Sequence, residues 1–452
     1  MLIALTLLRL FSFVAYCIFY STLTLFLLNQ GMDKSVVVLY TASFLALHYF
    51  VTIIGGTFLR FVYDYRKLLI YSGILYFASA ILFYAEHLTL LGLSAFVMGS
   101  LFFDSTYILL ITRLFSNNKT LLQRGFFLGY LGMNLGGLIG FGLGGWLQKT
   151  GDTTPILLAL LFCLVGTVLI LVLTWRKWPL NDIMRGKSPW IRLALFFSYI
   201  GIAGLVYLLF HFQQIIDFVV IGAWWLIFII LSFIGFSGHT PERIGLRRLL
   251  QFVFIFMLFI SLYYLIPTLI PFFLAHNVNS VLGGVYIPPA WFFNTMCVVV
   301  ILAIFWNYKR VGKRTFDLYR QFRLGMILSF IAFGFLCVGA FMAGEHLIAA
   351  TFALAYFIIQ SLAEAAIAPI SFTTVSEYIL IEKHQPYYIG FWLSTYSVGM
   401  INAGVVSSKI VPHLTLTLTD NSFYAEFFAG AMLLALLGFG LAFVRIRKKG
   451  TE

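Results

Sequence analysis

The stretch ATFALAYFIIQSLAEAAIAPISF, residues 350–372, runs for 23 residues with a single charged side chain, Glu364. An α-helix rises about 1.5 Å per residue, so about 20 apolar residues cross the hydrocarbon core of a bilayer. The stretch therefore predicts a membrane helix that carries one carboxylate inside it. Comparable apolar runs recur along the whole chain. Of its 452 residues, 62% are hydrophobic and 10% charged, and the mean hydropathy is +0.99. Soluble domains carry roughly 25% charged residues. The short alternating segments of a β-barrel do not occur. The expected fold is an all-α polytopic membrane protein. Its fourteen spans are placed at 4–28, 35–59, 68–85, 89–112, 124–147, 154–174, 190–211, 215–237, 249–274, 290–307, 324–343, 346–374, 387–408 and 424–446.

Charge orients these spans. Twenty-five of the 29 Lys and Arg residues fall in alternate loops, among them RK at 66–67, the connector WRKWPLNDIMRGKSPW (175–190), KRVGKRTFDLYRQFR (309–323) and the tail RIRKK (445–449). The opposite loops hold only Lys34, Lys149 and Lys409. Under the positive-inside rule both termini lie in the cytoplasm. The net charge of +13 thus reflects topology and predicts no nucleic-acid partner. Cys17, Cys163, Cys297 and Cys337 sit far apart in apolar runs and read as small buried hydrophobes, with no disulfide framework or metal site. The N-terminus, MLIALTLLRLFSF, lacks a basic leader region and a small-residue cleavage site, and reads as the start of the first span.

The connectors divide the chain into residues 1–175 with six spans, 176–248 with two extra spans, and 249–452 with six more. Paired six-span halves are a common transporter plan.

Charges inside spans mark the candidate site: Arg9, Asp104 and Glu364. Each costs about 2.5–3.5 kcal/mol near a helix centre unless it is paired or hydrated. Either a substrate or proton site, or an internal ion pair that fixes packing, would account for them. Arg9 and Asp104 are candidates for such a pair, and Glu364 for the group that titrates. His48, within the second span, reads as a packed histidine or a proton relay. The glycines of GYLGMNLGGLIGFGLGGW (129–146) predict close helix packing, while Asn134 among them needs a hydrogen-bond partner as glue or ligand. Pro267, Pro271 and Pro369 predict local breaks. No nucleophile triad, phosphate loop or zinc signature is present, so neither an enzyme nor a cofactor is expected.

Several of these stretches resemble the proton-dependent oligopeptide transporters of the major facilitator superfamily. ALHYFVTIIGG (46–56) is similar to that family's second-span segment. GYLGMNLGG (129–137) resembles its fifth-span signature through Tyr130, Asn134 and Gly136. AEAAIAPIS (363–371) resembles its tenth-span element through Glu364, Pro369 and Ile370, and GFWLSTYSVGMINAG (390–404) its eleventh. Bacterial members also carry a two-helix insertion between their halves. The resemblance implies two six-helix bundles plus a hairpin, alternating access, and proton-coupled uptake of di- and tripeptides across the inner membrane by a monomer. It places Glu364, Asn134, Tyr49, Tyr130 and Trp392 against substrate, and Glu364, Arg9, Asp104 and His48 in proton coupling or gating. The chain also departs from the family pattern. Thr6, Arg9 and Leu10 stand where the first span usually carries two glutamates and an arginine, and Asp104 falls at or next to the fourth-span lysine. The two charges look exchanged. Transport of another solute, such as an amino acid, a siderophore-like compound or a drug, is the alternative. A receptor that kept the fold is a third reading.

Overall fold

The computed structural model describes residues 1–29, 31, 34–62, 64–150, 154–180, 189–212, 215–279, 281–282, 284–286, 289–311, 316–379, 381–414 and 421–444. Arg185, Lys187, Lys313, Arg314 and the tail at 445–449, all used to orient the spans, lie outside the described residues. The helices are α1 (Leu2–Asn29), α2 (Lys34–Phe50), α3 (Thr52–Leu59), α4 (Tyr65–Tyr84), α5 (Thr89–Leu114), α6 (Lys119–Thr150), α7 (Thr154–Thr174), α8 (Pro189–His211) and α9 (Ile216–Phe236). They continue with α10 (Pro241–Tyr263), α11 (Leu265–Thr268), α12 (Ile270–Asn277), α13 (Pro289–Val311), α14 (Leu318–Ala343), α15 (Ala350–Ser371), α16 (Thr373–Tyr378), α17 (Gln385–Leu414) and α18 (Ser422–Leu441). A helix stands at every expected span. Among the described residues, eleven helices are long and apolar enough to cross a membrane unaided. The protein is an all-α, multi-pass membrane protein.

The breaks have local causes. Proline lacks the N–H that would bond four residues back. Pro267 and Pro271 accordingly split one span into α10, α11 and α12, with the junctions at Tyr264 and Leu269. Pro369 lies inside α15, which ends two residues later and resumes as α16. Helix starts are capped where the chain supplies an acceptor: Asp64 accepts from the Arg66 amide, Thr240 from Arg243 and Asp317 from Arg320. The Arg66 guanidinium also donates to Asp64, at 2.7 and 2.8 Å, and to the Trp175 carbonyl at 2.7 Å. These bonds hold the Asp64 carboxyl below its ordinary range, against the opposing effect of its partial burial.

The helices gather into two compact units, Met1–Leu231 with Val375–Ser397, and Ser232–Thr374 with Val398–Glu452. In the first, α6 lies along α1, α4 packs on α5 and α7, and α3 on α5. The α1–α6 seam needs its glycines, since a Cβ at Gly132 would collide with the Thr6 carbonyl and one at Gly136 would lie 2.6 Å from that of Leu10. The first half of α17 belongs to this unit and meets α3 glycine to glycine. A Cβ at Gly56 would strike the Pro386 carbonyl, and one at Gly390 the Thr52 carbonyl. The Thr52 hydroxyl donates to the Gly390 carbonyl across the same crossing, at 3.1 Å. In the second unit α14 packs on α15 and α18, and α13 on α15. Four two-residue strands complete it: β1 (Val278–Asn279), β2 (Val281–Leu282), β3 (Val285–Tyr286) and β4 (Ile348–Ala349). They form a parallel β1–β4 pair and an antiparallel β2–β3 pair. Asn402 donates to Ser261, and Asn277 to Asn421.

Candidate functional site

Three helices of the first unit bring titratable side chains together in its interior. α1 supplies Arg9, α2 supplies His48 and α5 supplies Asp104, each at most 4% exposed. Arg9 Nη1 donates to Asp104 Oδ1 in a buried ion pair, and His48 Nε2 lies 3.5 Å from Asp104 Oδ2. One carboxylate thus has a cation on one oxygen and an imidazole on the other. The pair expected of Arg9 and Asp104 is formed, and His48 joins it as a third member. A buried charge stripped of its partner is strongly destabilising, so the elements that hold this geometry matter. Ser100 Oγ donates to the His48 carbonyl at 3.1 Å, and Ser105 Oγ to the Thr52 carbonyl at 3.2 Å. Both hydroxyls flank Asp104 on α5, and they fix the α2–α3 backbone against it.

Aromatic rings enclose the charges. The Arg9 guanidinium lies 5.3 Å from the Tyr107 ring centroid and 5.6 Å from that of Phe13. Tyr107 in turn donates its hydroxyl to the Leu5 carbonyl at 3.1 Å. His48 contacts Tyr16 at 4.6 Å and Tyr49 at 4.7 Å between centroids. Tyr49 then stacks on Tyr396 at 5.0 Å. The guanidinium thus meets one carboxylate and two aromatic rings. Of the residues expected from sequence, Arg9, Asp104, His48 and Tyr49 are contiguous. Tyr16, Tyr107 and Tyr396 belong to the same cluster and were hidden in an aromatic content of 18%, where no spacing distinguishes them from packing tyrosines.

The other expected residues stand on other helices. Tyr130 and Asn134 are on α6, where the Asn134 amide donates to the Tyr130 carbonyl of its own helix at 3.0 Å. Trp392 is on the first half of α17 and is 1% exposed. Glu364 belongs to the second unit, on α15, five residues before Pro369, and is 5% exposed. Cys297 of α13 lies within electrostatic range of it. Among the described residues, no group of His, Cys, Asp and Glu is arranged to hold a metal.

Comparison with known proteins defines the class first. The fold is shared with crystal structures titled peptide transporter POT, one in complex with sulfate. That match has a TM-score of 0.72 at 19% identity and covers 98% of this chain and 94% of the other. A POT family transporter in complex with 5-aminolevulinic acid gives 0.71 at 17% identity, over 96% and 94% of the two chains. No protein-family model matches the chain. Among curated proteins it is 25% identical to dipeptide and tripeptide permease A of Yersinia pestis, over 84% of this chain and 77% of that protein. It is likewise 25% identical to permease B of Aeromonas hydrophila, over 87% and 82%. The chain is thus similar in sequence to bacterial dipeptide and tripeptide permeases and similar in fold to the solved POT transporters.

Proposed function

We propose that the chain is a secondary active transporter that takes up di- and tripeptides, or peptide-like small molecules, together with protons. The observation that carries this reading is the likeness to dipeptide and tripeptide permeases along 84% of the chain, with matching coverage in fold. The working arrangement is alternating access by a monomer in the inner membrane, with both termini cytoplasmic and functional divisions at 1–175, 176–248 and 249–452.

Glu364 is the acid that titrates and meets the substrate amino group. It is buried on a helix whose backbone pairing is interrupted by Pro369. Protonation removes its charge and lowers the cost of closing the site around it. Tyr49, Tyr130, Asn134 and Trp392 contact substrate. Arg9, Asp104 and His48 form the gating or coupling centre. His48 Nε2 lies 3.5 Å from Asp104 Oδ2, which links the three side chains.

One observation favours a second reading. The Arg9 guanidinium is taken up by Asp104 and two rings, which leaves it poorly placed to clamp a substrate carboxylate. A solute without a free carboxylate fits that arrangement better than a peptide does. Counterflow in proteoliposomes separates the two. Liposomes loaded with unlabelled dipeptide should accumulate labelled dipeptide, and external di- and tripeptides should compete while free amino acids do not. Competition by amide-blocked analogues, and not by peptides or free amino acids, would select the second reading.

A further inference from the structure

The first unit contains a second feature that none of the proposed transport chemistry uses. A cavity of about 350 Å³ opens in the seam between α9 and the crossing of α3 with α17. Its walls are Ile53 and Thr57 of α3, Ile227 and Leu231 of α9, and Phe391 of α17. His384, Tyr387 and Tyr388 line its other end. The cavity is therefore amphipathic, with an apolar body and a rim of one imidazole and two phenols.

Two cations stand near that rim. Arg60, at the end of α3, donates to the Tyr387 hydroxyl and lies 4.7 Å from its ring centroid. Lys383 is exposed and adjacent to His384. His384 is held below its ordinary value by partial desolvation and by the positive charges of Lys383 and Arg60. Both cations act on the imidazole in the same direction. α17 begins at Gln385 with no acidic residue in its first turn, so the helix end adds to their field. Elsewhere on α9, Leu226, Ile229 and Ile230 are 49–60% exposed, a surface suited to acyl chains and not to water.

We propose that this seam binds one anionic phospholipid from the leaflet facing the basic loops. The phosphate would sit at Lys383, His384 and the Tyr387–Arg60 pair, with an acyl chain along Ile53, Ile227, Leu231 and Phe391. The lipid would fill the gap between the inserted hairpin and the α3–α17 crossing. A free anion would not use the apolar body, and an uncharged lipid would not use the rim. The proposal stands independently of which solute is transported.

The test is native mass spectrometry of the purified full chain, titrated with phosphatidylglycerol or with phosphatidylcholine of the same acyl length. A single tight phosphatidylglycerol adduct is expected. Lys383→Gln should weaken it about fivefold, the loss of one basic charge near the phosphate. Leu231→Trp, which fills the apolar body, should abolish it. Thermal unfolding in lipid-free detergent checks that each variant is folded, and Leu231→Phe replaces Leu231→Trp if that variant is not. Equal binding of the two lipids would overturn the proposal, as would an adduct unaffected by both sets of substitutions. Transport activity enters none of these readouts, so failure here is distinct from failure of the transporter reading.

Discussion

At the scale of residues, the chain holds its buried charges by mutual satisfaction. Asp104 is shared between Arg9 and His48, and the rings of Phe13 and Tyr107 cover the guanidinium. Asp104→Leu leaves the Arg9 charge buried without its carboxylate, and Arg9→Leu leaves Asp104 with His48 alone; each breaks the buried pair and should destabilise the protein by about 3–5 kcal/mol. Arg9→Asp should be worse still, because it faces two carboxylates. Arg9→Asp combined with Asp104→Arg should recover part of the loss, as read by melting temperature in detergent. A double variant no more stable than either single one would show that the pair contributes nothing. Asp64 gives a separate prediction outside the membrane. Its carboxyl is held below the ordinary range by Arg66, so its contribution is complete above that range and is lost as pH falls through its own lower value. Asp64→Ala should cost about 1 kcal/mol at neutral pH as a lost cap, and should remove the corresponding steepening of acid unfolding.

At the scale of elements, helices pack tightly where glycines meet. The α3–α17 crossing joins Gly56 to Gly390 with backbone in contact on both sides. Gly390→Val should push the helices apart and cost about 1–3 kcal/mol, the range for overpacking a tight seam. Gly404→Ala on the same helix, where an added Cβ meets nothing, should be neutral. Equal melting temperatures for the two would contradict the crossing. These elements also show how far the sequence could be read. The apolar runs and the prolines gave the spans and the breaks at Pro267, Pro271 and Pro369, because both signals are local. Arg9, Asp104 and Glu364 stood out since an ionised group in hydrocarbon is costly wherever it faces. His48 left two readings open, and its place beside Asp104 depends on the α2–α5 register, which no local pattern encodes. The pairing of Gly56 with Gly390 was invisible for the same reason: each glycine alone reads as generic small-residue packing.

At the scale of the whole molecule, the account joins a peptide-permease fold to an altered charge arrangement. The first-span arginine and the aspartate of α5 satisfy each other. The proposed function assigns the answer to a proton or an amine to Glu364, and this makes a specific demand on transport. The most direct measurement is uptake of a labelled di- and tripeptide pool by proteoliposomes, with and without an inwardly directed proton gradient, for wild type and Glu364→Gln. The account predicts gradient-driven accumulation by wild type. Glu364→Gln should lose that accumulation by at least about tenfold while remaining folded, the scale of a lost charge-assisted contact. Accumulation that ignores the gradient, or that survives in Glu364→Gln, would contradict it.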